Sequence, residues 1–194
     1  MMSYADHEQY VIPCPYPAVV THATHKAQQL LAQSQGLLRQ AHSIPEDPRL
    51  QRRVHQLLMD VFKIEPGWRS PSQVFEVQER FNYLAQAAPK ARVFCVSDKH
   101  PMNGDAGKLG HSAFAEIGTH SAPMVYLCPA FFLSSTHQAS TIVHELAHGR
   151  LGVGHRGGEF LSFGCTGSPL KSYEDAIENA YSYDLFAECA THGD

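Results

Sequence analysis

The sequence predicts an α+β fold. Three features carry that expectation: a helical first part, a change of texture near Ala91, and a return to helix from about Gln138. Before Ala91, apolar residues recur at intervals of three and four, the period of helices that pack along one face. After it come short runs of β-branched and aromatic residues set off by Gly and Pro, as in short strands. A chain of 194 residues, 43% hydrophobic and 18% charged, can build one domain with a core. The sequence reads as a single domain over 1–194, with an irregular lead-in at 1–20, a helical part at 21–90, and a sheet and site part at 91–194.

Pro13, Pro15 and Pro17 make the lead-in irregular. The first helix runs from about His22 to His42 on Ala23, Ala27, Leu30, Leu31, Leu37, Leu38 and Ala41, and the Pro45 to Pro48 stretch breaks it. A second helix buries Leu50, Val54, Leu57, Leu58 and Val61 and ends at Pro66-Gly67. A third starts near Ser70 or Ser72, buries Val74, Val77, Phe81 and Leu84, and stops before Pro89. Strands are expected at Arg92–Val96, Ser112–Ile117 and Met124–Cys128, the last closed by Pro129. Another helix begins between Ser135 and Gln138, with Gly149 and Gly152 as stop signals. After a glycine-rich stretch, a final helix opens at Ser172, whose hydroxyl can cap the amide near Asp175, and runs to about Ala190.

The net charge of −4 leaves no basic footprint for nucleic acid. No apolar run is long enough to insert in a membrane. The first residues, Met1 to Glu8, are polar and do not read as a signal peptide. The expectation is a protein secreted or delivered outside the producing cell without a cleaved signal, or one that stays in the cytoplasm. Five scattered cysteines form no C-x-x-C pair, which argues against a structural zinc ribbon. They are either buried free thiols or one or two disulfides.

His144-Glu145-Leu146-Ala147-His148 reads H-E-x-x-H in a helical context. Histidines four apart lie one turn above each other, so both imidazoles can reach one metal ion. The glutamate beside them can act as general base on a water at that metal, the arrangement of zinc metallopeptidases. A catalytic zinc takes three protein ligands and keeps one position open. Downstream, His155, Glu159, Glu174, Asp175 and Glu178 are all available. His155 gives H-E-x-x-H-x(6)-H, one residue longer than the known H-E-x-x-H-x-x-G-x-x-H motif. Spacing alone leaves the third ligand open.

Three blocks in order resemble the deuterolysin and peptidyl-Lys metalloendopeptidase family, the aspzincins. They are Val125 to Phe132 (VYLCPAFF), Thr141 to His148 (TIVHELAH), and Ala176 to Glu188 (AIENAYSYDLFAE). The resemblance implies a zincin-like fold with a helical N-terminal part, a small sheet, a zinc helix and a packed C-terminal helix. It implies one catalytic zinc ion and a protein or peptide substrate. Counting forward from His148 puts Glu159 at the family's third ligand position; counting back from Asn179-Ala180 puts Phe160 there, so Glu159 is the expected ligand. Phe163 stands where the family has a tyrosine that stabilises the transition state, with Tyr173 as the possible substitute. Two acidic residues of the last helix form the lysine pocket of some members; here Tyr181 replaces the first and Asp184 stands for the second. A Cys95–Cys128 disulfide is the candidate pair in a region where the family has disulfides.

The expected activity is zinc-dependent endopeptidase hydrolysis, with His144, His148 and Glu159 as ligands, Glu145 as base, and Asp184 and Tyr181 facing the substrate. Two alternatives remain. One is a zinc amidase acting on cell-wall peptides, as in a toxin-like effector; the other is a zinc-binding protein whose catalysis has decayed.

Overall fold

The computed structural model describes residues 7–41, 48–65, 70–103, 112–160, 165 and 167–191. Strand β1 (Val11–Ile12) precedes helix α1 (Pro17–Gln40), and helices α2 (Pro48–Phe62) and α3 (Ser70–Ala87) follow. Then come β2 (Arg92–Val96), β3 (Ala113–Ala115) and β4 (Met124–Leu127), helix α4 (Gln138–Leu151), short helix α5 (Tyr173–Ile177) and α6 (Ala180–Thr191). The mixed α+β expectation holds. Residues 11–12, read as irregular, instead form a strand. A two-residue strand has no periodicity to read; Val11 and Ile12 pair antiparallel with Val96 and Cys95. Pro17 opens α1 earlier than expected, at the helix position where its missing N–H costs nothing.

The sheet order is β1-β2-β4-β3. β2 and β4 run parallel and in register from Arg92↔Met124 to Cys95↔Leu127, and β3 runs antiparallel to β4 with Phe114 opposite Tyr126. Alternation along the strands sorts side chains onto two faces. Val125, Leu127, Ala113 and Cys95 join the helices in the main core. Phe114, Tyr126, Val96 and Cys128 point the other way into a smaller aromatic cluster. There the Phe114 and Tyr126 rings stack at 4.9 Å, and His7 and His100 lie over them.

That alternation keeps Cys95 and Cys128 apart. Cys95 bonds to Cys14 and Cys165 bonds to Cys189, while Cys128 is buried and free. The Cys95–Cys128 pair suggested by the resemblance does not form. Cys95 is opposite Leu127 in the ladder, so Cys128 is one residue further on and faces the other side of the sheet. Burial pushes the Cys128 thiol up to about 12, with a smaller push from Glu145.

α4 is the central element of the site half. It packs on α1, α3 and α6 and lies against β3 and β4. Every residue from Ile142 to Gly149 is buried. The helix runs through Gly149, which is not a stop. A side chain there would come within 2.7 Å of Pro123, so the glycine lets the strand connection cross close to the helix. Gly152, left-handed at φ 71°, is the terminator. Behind α6, Phe62, Phe81, Tyr183 and Phe186 form an aromatic cluster that fixes α6 against α2 and α3.

Candidate metal centre

The two helix histidines are buried, and α4 stacks their rings edge to face at 4.7 Å. Their Nε2 atoms stand 3.1 Å apart. Past Gly152 the chain turns back and brings in His155, whose Nε2 lies 3.0 Å from both. These three nitrogens form a group of the size that can hold one metal ion. Imidazole nitrogens on a common zinc at about 2.0–2.1 Å stand roughly 3.3 Å from one another, close to the observed spacing.

The opposite ring nitrogens all have acceptors. His144 Nδ1 is 3.1 Å from Asp184 Oδ2. His148 Nδ1 is 2.7 Å from the Val153 carbonyl oxygen. His155 Nδ1 is 3.3 Å from Glu159 Oε1. Each Nδ1 therefore carries the proton and donates it outward, and three Nε2 lone pairs face each other. Neutral lone pairs so arranged repel unless a cation lies among them, so these residues fit a metal ion. The outer acceptors are the partners that metal-bound histidines ordinarily have. Burial holds His144 and His148 neutral. It lowers both to about 4, against an upward pull on His144 from Glu159 and on His148 from the Val153 carbonyl.

Glu145 is buried beside these histidines, and its Oε2 has no hydrogen-bond partner among the described residues. Burial first and the Asp184 charge second push its carboxyl up to about 8, opposed by the Ala115 backbone N–H. That amide belongs to β3, so the sheet edge and the glutamate meet. β3 is one of the two edge strands of the sheet, and the chain leaving it bonds to the end of α4. The Gly118 N–H donates to the His148 carbonyl at 3.0 Å and the His120 N–H to that of Gly149 at 2.9 Å.

The other expected site residues fall in several places. Glu159 is not among the converging ligand atoms; its side chain is two-thirds exposed and lies against the far nitrogen of His155. Asp184 stands on α6. It is buried behind His144, its pKa raised by burial and then by Glu188. Tyr181 is at the site: its ring lies 4.3 Å from that of His144, 4.9 Å from His155 and 5.1 Å from Phe160. Burial, and then Glu159, Asp184 and Glu145, push its phenol up to about 12, so it stays protonated. Glu178 is taken up in an ion pair with Arg80 at 2.8 Å. Tyr173 donates to Glu76 at 2.7 Å, in the same network. Phe163 lies outside the described residues.

In the sequence His155 stands as an open candidate behind Glu159, because a known motif places its third histidine one residue earlier. That comparison assumes a fixed turn. Here Gly152 ends the helix and the loop has room for an extra residue.

No family model matches the chain, and no curated protein matches it. Among solved structures, a zinc peptidase from Grifola frondosa superposes with a TM-score of 0.60, covering 91% of this chain and 96% of its own. The sequences are 19% identical. The likeness is one of fold. It agrees with the α+β, zincin-like architecture expected from the three sequence blocks.

Proposed function

We propose that the protein is a zinc-dependent endopeptidase in which His144, His148 and His155 hold one catalytic zinc ion. The observation that carries this reading is the convergence of three neutral imidazole nitrogens, each backed by an acceptor on its far side. A fold shared with a zinc peptidase supports the choice of metal and of a peptide substrate.

Zinc held there supplies Lewis acidity, which polarises the scissile carbonyl, acidifies a water, and favours the carboxylate form of Glu145. Glu145 takes the proton of the attacking water and gives it to the leaving amine nitrogen. The Ala115 amide orients that carboxylate. β3, as the edge strand beside Glu145, offers backbone groups to an extended substrate. Tyr181 forms an aromatic wall beside the centre, suited to an aromatic or long apolar side chain of the substrate. Asp184 and Glu159 are positioning residues for His144 and His155 in this reading, replacing the pocket and ligand roles expected from the sequence. The buried Glu145 carboxyl, with its Oε2 left without a partner among the described residues, favours a working enzyme over a decayed one. Two disulfides suit an oxidising compartment outside the producing cell.

Metal analysis with activity assays tests this. The purified protein should carry about one zinc per chain and cleave casein, and His144→Ala should lose the zinc and the cleavage together. Zinc content unchanged by His144→Ala/His148→Ala defeats the metal site. Cleavage of peptidoglycan peptides with casein untouched replaces the endopeptidase reading with an amidase. Bound zinc without turnover on either leaves a binding protein.

A further inference from the structure

Asn179 sits in the break between α5 and α6, and it is fully buried. Its side chain makes three hydrogen bonds, to two segments. Oδ1 accepts from the Tyr181 N–H at 3.0 Å. Nδ2 donates to the carbonyl oxygens of Arg156 at 2.6 Å and Gly158 at 2.9 Å. The next residue adds a backbone bond, from the Ala180 N–H to the Gly154 carbonyl at 2.9 Å. The carbonyls of Gly154 and Arg156 flank His155, so the loop is tied on both sides of the imidazole.

Capping the start of α6 requires only an acceptor, which Asp or Ser supplies as well. The two donors are the feature that requires an amide. Their targets are both carbonyl oxygens, so the reversed amide would set oxygen against oxygen, and the orientation is determined. The clamped loop also turns through Gly157 at φ 81° and Gly158 at φ 114°, conformations open to glycine. Its backbone pairing is limited to isolated bridges of Gly154 and His155 with Asn179 and a bond from the Gly158 N–H to the His155 carbonyl at 3.0 Å, so the Asn179 amide adds the ties beyond His155.

We infer that Asn179 is the positioning residue for the third metal ligand: its amide holds the loop so that His155 Nε2 meets those of His144 and His148. The inference rests on the reading of His155 as a ligand. Asn179 touches neither metal nor substrate. It acts through the Arg156 and Gly158 carbonyls, and its Oδ1 bond seats Tyr181 beside the same imidazoles.

The test is a mutant cycle on metal affinity, measured by chelator competition for zinc and by the visible spectrum of the cobalt-loaded protein. Asn179→Asp keeps size and the acceptor but faces a carboxylate toward two carbonyls. It should weaken zinc binding about 10- to 100-fold, the range for outer partners of metal ligands, and alter the cobalt spectrum. In a His155→Ala background the same substitution should cause no further loss, because the ligand it positions is gone. An equal loss in both backgrounds overturns the inference and leaves Asn179 a structural cap. His155→Ala binding zinc as tightly as wild type overturns the ligand reading and the inference with it. A second measurement needs no Asn179 variant. Coupling is reciprocal, so zinc loading of the wild type should slow hydrogen exchange at the Ala180 and Tyr181 amides, and loading of His155→Ala should not. Exchange at those amides indifferent to zinc in the wild type also overturns the inference.

Discussion

Two of the converging imidazoles stand on α4 and the third stands on a loop, and different physics holds each. His144 and His148 are placed by helix geometry. Their backbone is fixed by α4, which is wedged among α1, α3, α6 and the sheet. A helix in such a place cannot change register without unpacking a core. His155 follows a left-handed glycine and has no such frame. Its position depends on a handful of hydrogen bonds from Asn179 and Ala180 and on the Cys165–Cys189 bond further along, which ties the return segment to α6. Buried packing is distributed over many atoms, whereas the loop's placement rests on a few directional bonds. One substitution can therefore disturb the loop more readily than the helix.

Changes on the helix should separate chemistry from metal binding. Glu145→Gln is the largest expected effect short of removing a ligand. It should lower turnover by about two to four orders of magnitude, the scale of general-base loss, while zinc content and fold stay as they are. A near wild-type rate in that variant would remove Glu145 from the mechanism.

Asp184→Asn comes next, because it alters a buried partner of a helix ligand. The amide can turn its NH₂ toward His144 Nδ1, disfavouring the tautomer that presents Nε2. Zinc affinity should fall about 10- to 100-fold, with a smaller change in turnover at saturating zinc. Unchanged affinity, with altered preference among peptide substrates, would instead return Asp184 to the pocket role first expected of it.

Glu159→Ala is the smallest. Its carboxylate is largely exposed and 3.3 Å from His155 Nδ1, so water can replace it. Exposed pairs of this kind contribute about 0–1 kcal/mol, which is at most about a fivefold change in zinc affinity. Loss of zinc as severe as in His144→Ala would make Glu159 a ligand after all and would overturn the contrast between helix and loop.

Much of the fold is legible in the sequence because it follows from local periodicity. The helices around Leu30, Leu57 and Phe81 announce their buried faces at spacings of three and four. The strands at Arg92–Val96 and Met124–Leu127 announce themselves by composition. The H-E-x-x-H spacing makes His144 and His148 neighbours in any helix, whatever surrounds them.

What the sequence could not determine depends on segments distant along the chain. The break between α5 and α6 is invisible to periodicity, since Ala176, Ile177 and Ala180 all suit one continuous helix. It arises because Asn179 finds better partners in the loop than a helix interior offers. The disulfide partner of Cys95 depended on which face of β4 Cys128 takes, a matter of register between strands. The choice between His155 and Glu159 likewise rested on the path of a glycine-rich turn. Helix spacing is a local property of the backbone, so the sequence by itself determined two imidazoles and the carboxylate beside them. The third imidazole and its clamp are set by contacts between loop and helix, which only the tertiary structure decides.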